Sequence, residues 1–199
     1  VQVDVGNAID FHGILNMPST KEIDLSNHGT SMASALESEL KIQKSKPVSA
    51  VQIVWKRKSS KSLWKALIDG LKKETRVLSL SYGGKRADTF EEAMLYGYTL
   101  NDIVIVAAAG NDGGGTNYFP ANYNNPCILS VGTLVNGSKA PYSNDADVWL
   151  EYNEKDPPGT SASTARMAGI VLQFRRNNPE YTCDKIVLTT KMLYGKIPK

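Results

Sequence analysis

The sequence predicts an α/β fold: a doubly wound, mainly parallel sheet with helices on both faces, forming a single domain over residues 1–199. Three observations carry this. Apolar β-rich runs alternate with stretches whose apolar residues recur every three or four positions, a spacing that makes the helices crossovers between parallel strands. Residues 103–109 are apolar throughout, as a strand buried on both faces must be. Gly6, Gly83-Gly84 and Gly110-Asn111 punctuate the carboxyl ends of the strand-like runs.

Composition supports one core and narrows the function classes. With 199 residues, 41% hydrophobic and 22% charged, the chain suits one globular domain. Its 23 basic and 20 acidic residues leave a formal charge of +3, too balanced to imply a nucleic-acid or membrane partner. No apolar run is long enough to span a bilayer. Cys127 and Cys183, the only cysteines, define neither a metal site nor a disulfide framework and leave the redox compartment open. The chain opens on Val1 rather than Met, which points to trimming or processing upstream.

Residues 1–5 read as a short strand ending in Asp4, with Gly6 allowing the turn. Residues 7–27 read as loop until Ser26-Asn27-His28-Gly29-Thr30 opens a helix with Met32, Leu36 and Leu40 on one face. Pro47 closes that region, and residues 49–55 form a β-rich run. Lys56, Arg57, Lys58 and Lys61, between Trp55 and Trp64, read as a solvated turn rather than a grip on nucleic acid. Leu63, Leu67 and Leu71 mark an amphipathic helix closing near Thr75.

Residues 76–81 form the next strand, followed by a helix over 89–100 spaced by Phe90, Ala93, Met94 and Gly97. Strands over 103–109 and 128–134 come next, then a short one over 148–150. The last helix begins at Gly159-Thr160-Ser161 and stays apolar or small through Ala165, Ala168, Gly169, Val171, Leu172 and Phe174, so it is largely buried. Arg175 and Arg176 sit at its end, where the dipole favours cations. Sites in open α/β sheets gather beyond the strands' carboxyl ends. Asp4, Ser81 to Gly84 and Asn111 lie at such ends, and His28 and Ser161 begin helices on the same side.

At a helix start Ser161 stands beside unpaired N–H groups and the positive end of the dipole, which stabilise a developing oxyanion. The same residues also fit an ordinary N-cap. A nucleophilic Ser161 needs a base, and the chain has only His12, in an irregular loop, and His28, at a helix start beside Gly29. His28 is therefore the expected general base and acid, with Asp4 fixing its tautomer and Asp10 as Asp4's rival. Asn111, after the small residues Ala107-Ala108-Ala109-Gly110, presents an amide able to donate to an oxyanion; the alternative is a common Gly-Asn turn.

Asp4-Val5-Gly6, His28-Gly29-Thr30, Ser81-Tyr82-Gly83-Gly84, residues 107–111 and Gly159-Thr160-Ser161-Ala162-Ser163 resemble, in this order, the motif blocks of subtilisin-like serine proteases. The resemblance implies the subtilisin-like sheet and endoproteolysis through an acyl-enzyme. Asp4, His28 and Ser161 would form the triad and Asn111 the oxyanion donor. An extended peptide or protein substrate would lie beside Ser79, Leu80, Ser81, Tyr82 and Gly83, with Ala108, Ala109 and Gly110 lining the pocket for the residue before the scissile bond.

Two blocks depart from the usual pattern, at Ser31 and Met32 and at Ala162 and Ala165. The helix after His28 lacks the inserted loop that supplies calcium in many relatives, so no metal is expected there, and no cofactor. A propeptide removed ahead of Val1 and secretion from the cell are further expectations from the family. A catalytically silent binding module and a peptide ligase on the same fold are the alternatives. Asp145, Asp147, Glu151, Glu154 and Asp156 precede the serine block and read as a solvated loop rather than as a filter for basic substrates.

Overall fold

A computed structural model describes residues 14–16, 28–39, 49–53, 75–84, 89–115 and 118–196. Five strands follow one another across the sheet in chain order and pair in parallel: β1 (Ile14–Asn16), β2 (Ser49–Ile53), β3 (Thr75–Leu80), β4 (Val104–Ala108) and β5 (Ile128–Val135). The two-residue β6 (Ser138–Lys139) turns back antiparallel on the end of β5. A last strand, β7 (Val148–Glu151), adds in parallel along the second half of β5.

β4 is apolar throughout, and β3 and β5 are largely so, because alternate side chains enter two different cores. Val77 of β3, Val104 and Val106 of β4 and Leu129 and Val131 of β5 face one side. Leu78, Leu80, Ile105, Ala107 and Ile128 face the other. The first side is covered by α1 (His28–Glu39), α3 (Thr160–Asn177) and α4 (Cys183–Tyr194), through Met32, Leu36, Ala165, Ala168, Leu172 and Ile186. The opposite side is covered by α2 (Thr89–Leu100), through Leu95 and Tyr98. The α/β class, the parallel pairing and the helices on both faces are those predicted.

Three elements differ from expectation, the two-residue β6 among them. β1 lies within the stretch read as loop, and three residues are too short to show a period. The helix α4 was not predicted. Its buried Ile186, Val187 and Thr190 are interleaved with exposed Leu188, Met192 and Leu193, so the polar and apolar contrast that marks a surface helix is lost. The strand expected over 1–5, the helix expected over 63–75 and the basic patch between Trp55 and Trp64 lie outside the described residues.

α4 is held by covalent and polar links. Cys127, just ahead of β5, forms a disulfide with Cys183, the first residue of α4, across a Cα–Cα distance of 5.1 Å. Asp102, in the turn before β4, pairs with buried Arg175 of α3 at 2.9 Å and accepts the Cys183 amide. The state of the two cysteines, open in the sequence, is thus resolved.

The contact between α1 and α3 bears on the site. Gly169 has room for no side chain, because a Cβ there would stand 2.7 Å from the Leu36 carbonyl oxygen. Further along, Gln173 Nε2 donates to the Glu39 carbonyl, while Arg166, a turn before Gly169, reaches the Glu39 carboxylate through Nε at 2.7 Å. From the Gly169–Leu36 approach to the Gln173–Glu39 backbone bond both helices advance in the same direction, so they run parallel.

Candidate active site

The parallel register sets which helix starts stand level with one another. Leu36 lies eight residues after His28, and Gly169 lies eight after Ser161. Each interval is about 12 Å of helix at 1.5 Å per residue, so His28 and Ser161 stand at the same level of two touching helices. Asp4, Asp10 and His12 lie outside the described residues.

Ser161 is the second residue of α3, and the N-cap is Gly159, with φ of 125°. Capping therefore does not account for Ser161. Its hydroxyl is half-buried and donates to the carbonyl of Ser81 at 3.3 Å, while the Ser81 hydroxyl donates to the Ser161 carbonyl at 3.0 Å. This reciprocal pair fastens the start of α3 to the carboxyl end of β3.

Asn111 is exposed, beyond the end of β4. Its Oδ1 accepts the Thr160 amide at 2.9 Å and the Thr160 hydroxyl at 3.1 Å. With the carbonyl half of the carboxamide so occupied, the Nδ2 half is left as donor, one residue from Ser161. The Thr160 hydroxyl also accepts the Gly110 amide at 3.2 Å.

Asn144, almost fully buried, was not singled out by the sequence. Its Oδ1 accepts the amides of Asp112 and Gly114 at 3.2 and 3.0 Å, its Nδ2 donates to the Ala109 carbonyl at 3.0 Å, and its own amide donates to the Gly110 carbonyl at 3.0 Å. In the sequence it is one polar residue in the loop Tyr142-Ser143-Asn144-Asp145, with nothing to mark it.

The residues expected to line the substrate divide into two groups. Ser79 and Leu80 are fully buried, and β2 and β4 pair with them on both edges, so no extended chain can add there. Ser81, Tyr82 and Gly83 run past the end of that register; at Gly84 the backbone is taken again by two bonds to Phe119 of 2.9 and 2.8 Å. Ala108, Ala109 and Gly110 form the adjacent wall, all three buried. The Tyr118 ring lies against both Gly83 and Gly110, and its hydrogen bond with Asp112 pushes the phenol pKa up.

The acidic loop has internal partners. Asp147 accepts the amide and hydroxyl of Ser130 at 3.0 and 2.9 Å and pairs with Lys191 at 2.8 Å. Asp145 pairs with Lys139, and Glu151 accepts the Gly137 amide. Asp156 is raised above the usual carboxylate range by burial, partly offset by Arg166 at 4.0 Å. Among the described residues, no group of three or more His, Cys, Asp or Glu side chains could hold a metal ion, and no helix is long and apolar enough to cross a membrane.

An alcohol at a helix start, beside a carboxamide and at the carboxyl edge of a parallel sheet, stands where sites gather in open α/β sheets. Residues 15–193 match the subtilase family, and the chain belongs to it. Asp4 precedes the matched region. The chain is 26% identical to the thermophilic serine proteinase of Bacillus sp. (strain AK1), over 88% of its own length and 51% of that protein's. It thus spans about half the length of that curated relative.

Among solved structures, it resembles a cold adapted subtilisin-like serine proteinase, with a TM-score of 0.70 at 19% identity, covering 85% of this chain and 68% of that one. It also resembles the prenylagaramide maturation protease PagA, with a TM-score of 0.62 at 20% identity, covering 77% and 65%. At these identities the likeness to solved structures shows the fold.

Proposed function

We propose that this chain is the catalytic domain of a serine endopeptidase acting through an acyl-enzyme. Ser161 Oγ attacks the scissile carbonyl and His28 takes its proton, later returning it to the leaving amine. Asn111 Nδ2 and the amides at the start of α3 receive the oxyanion. Asp4 orients His28. The substrate extends beside Ser81, Tyr82 and Gly83, and its side chain ahead of the scissile bond meets Ala108, Ala109 and Gly110.

The observation that carries this reading is the placing of Ser161. It is helical but not the cap, it is tied to the end of β3, and it neighbours an asparagine whose carbonyl oxygen is already engaged. The family supports the same chemistry, and the disulfide supports export to an oxidising compartment.

Labelling with a fluorophosphonate tests it. Wild type is expected to react at Ser161, and Ser161→Ala to stay unlabelled. Folded wild type that takes no label would overturn the reading in favour of a silent binding module.

A further inference from the structure

We infer that Asn144 is a positioning residue for the oxyanion site, holding the loop that presents Asn111; this rests on the proposed role of Asn111. Every polar atom of the buried Asn144 side chain is spent on residues 109–114, the stretch that has Asn111 at its middle. The amides of Asp112 and Gly114 converge on Oδ1, and the Ala109 carbonyl takes Nδ2. The backbone adds a fourth bond, from the Asn144 amide to the Gly110 carbonyl. Asn111 is thus bracketed, with Ala109 and Gly110 held on one side and Asp112 and Gly114 on the other.

No hydrogen bond runs from Asn144 to Asn111 itself. From the opposite direction Thr160 supplies two donors to Asn111 Oδ1. The carboxamide is therefore set from two sides, its head by Thr160 and its backbone by Asn144. An oxyanion donor works by standing in place before charge develops, so freedom in this loop weakens it even while the amide remains present.

The test is a double-mutant cycle on peptide hydrolysis, with active sites counted by end-point fluorophosphonate labelling so that a misfolded fraction drops out. Asn111→Ala alone should lower kcat by about a hundred- to a thousand-fold, as the loss of one oxyanion donor does in subtilisin. Asn144→Ala should lower kcat about ten- to a hundred-fold when Asn111 is present, as misplacement by about 1 Å does. In the Asn111→Ala background it should lower kcat by less than about threefold, because the group it positions is gone.

Equal fold-losses in both backgrounds would overturn the positioning role while leaving Asn111 as donor. An Asn111→Ala variant with undiminished kcat would overturn both readings. Should Asn144→Ala not fold, Asn144→Ser keeps a neutral polar group in the buried position but is too short to hold all three side-chain bonds, and it enters the same cycle. A second readout needs no activity. The side-chain amide pair of Asn111, identified in a 1H–15N spectrum by its loss in Asn111→Ala, should shift or broaden in the Asn144 variant, and an unmoved pair would refute the inference.

Discussion

Replacing Gly169 by Ala tests whether the close approach of α1 and α3 sets the geometry of the two helix starts. The new Cβ would stand 2.7 Å from the Leu36 carbonyl oxygen and 3.1 Å from Glu39 Cβ, where ordinary contact begins at 3.4 Å. The carbonyl must retreat by about 0.7 Å, and as helix backbone it cannot swing aside alone, so α1 moves as a body. Overpacking of this kind costs about 1–3 kcal/mol. Alanine returns about 1 kcal/mol through its better helix propensity, so the net loss of stability is only about 0–2 kcal/mol.

Activity should suffer more than stability. α1 begins at His28, and near-attack geometry loses about a hundred-fold in rate for about 1 Å of misplacement, so kcat/KM should fall at least about tenfold. The assays are hydrolysis of a chromogenic peptide, normalised to fluorophosphonate-reactive sites, and urea unfolding of the same samples. A variant with full activity, or one about 1 kcal/mol more stable than wild type as an unobstructed Gly→Ala helix change would be, refutes the reasoning.

Three further outcomes follow from the structure. Gly110→Ala combines a φ of 105° with a Cβ 2.4 Å from Asn144 Nδ2 and 2.9 Å from the Tyr118 ring; it should cost at least about 2 kcal/mol in urea unfolding, and a change under about 0.5 would contradict the crowding. Replacing Cys127 and Cys183 together by Ala opens a loop closed across 56 positions, worth about 4 kcal/mol in the chain-entropy account, and an unchanged denaturation midpoint would argue against the pairing. Asp156 has its pKa raised in the fold chiefly by burial, so its neutral form is favoured; wild type loses that contribution as pH rises through the raised value. Asp156→Asn should therefore melt higher than wild type at pH 7 and lose the advantage below pH of about 4, whereas a lower Tm at pH 7 would show that the charge earns its place through Arg166.

The sheet was legible because its central strands are short apolar runs with glycine at their ends, and burial on both faces leaves no other use for such runs. Residues 103–109 were read as a strand, and β4 spans Val104–Ala108. The boundaries of α2 agree with the reading at both ends, since Phe90, Met94 and Gly97 keep a helical period. α4 escaped because Leu188, Met192 and Leu193 are apolar yet exposed, and β1 because three residues have no period. Within the site, Ser161 and Asn111 announce themselves by residue type beside glycine. Asn144 and Gly169 do not, since what each does depends on partners far along the chain: Asn144 on residues 30 to 35 positions earlier, Gly169 on Leu36.

That asymmetry bears on how the two strand ends divide their work. At the end of β4 the backbone donors are already spent: the Ala109 amide on the Val131 carbonyl and the Gly110 amide on Thr160, with both carbonyls engaged by Asn144. This segment can offer a bound chain its surface but no backbone donor, which suits the wall of a side-chain pocket. Beyond Leu80 the paired register of β3 stops, and Ser81 is fixed through its hydroxyl and carbonyl to Ser161. In the proposed reading, main-chain recognition of a substrate falls to the β3 side, whose end is tied to α3 through the serine proposed to attack. A fixed distance between the strand end proposed to hold the peptide and the alcohol proposed to cleave it follows from those two hydrogen bonds, without any motion of the loop that carries Asn111.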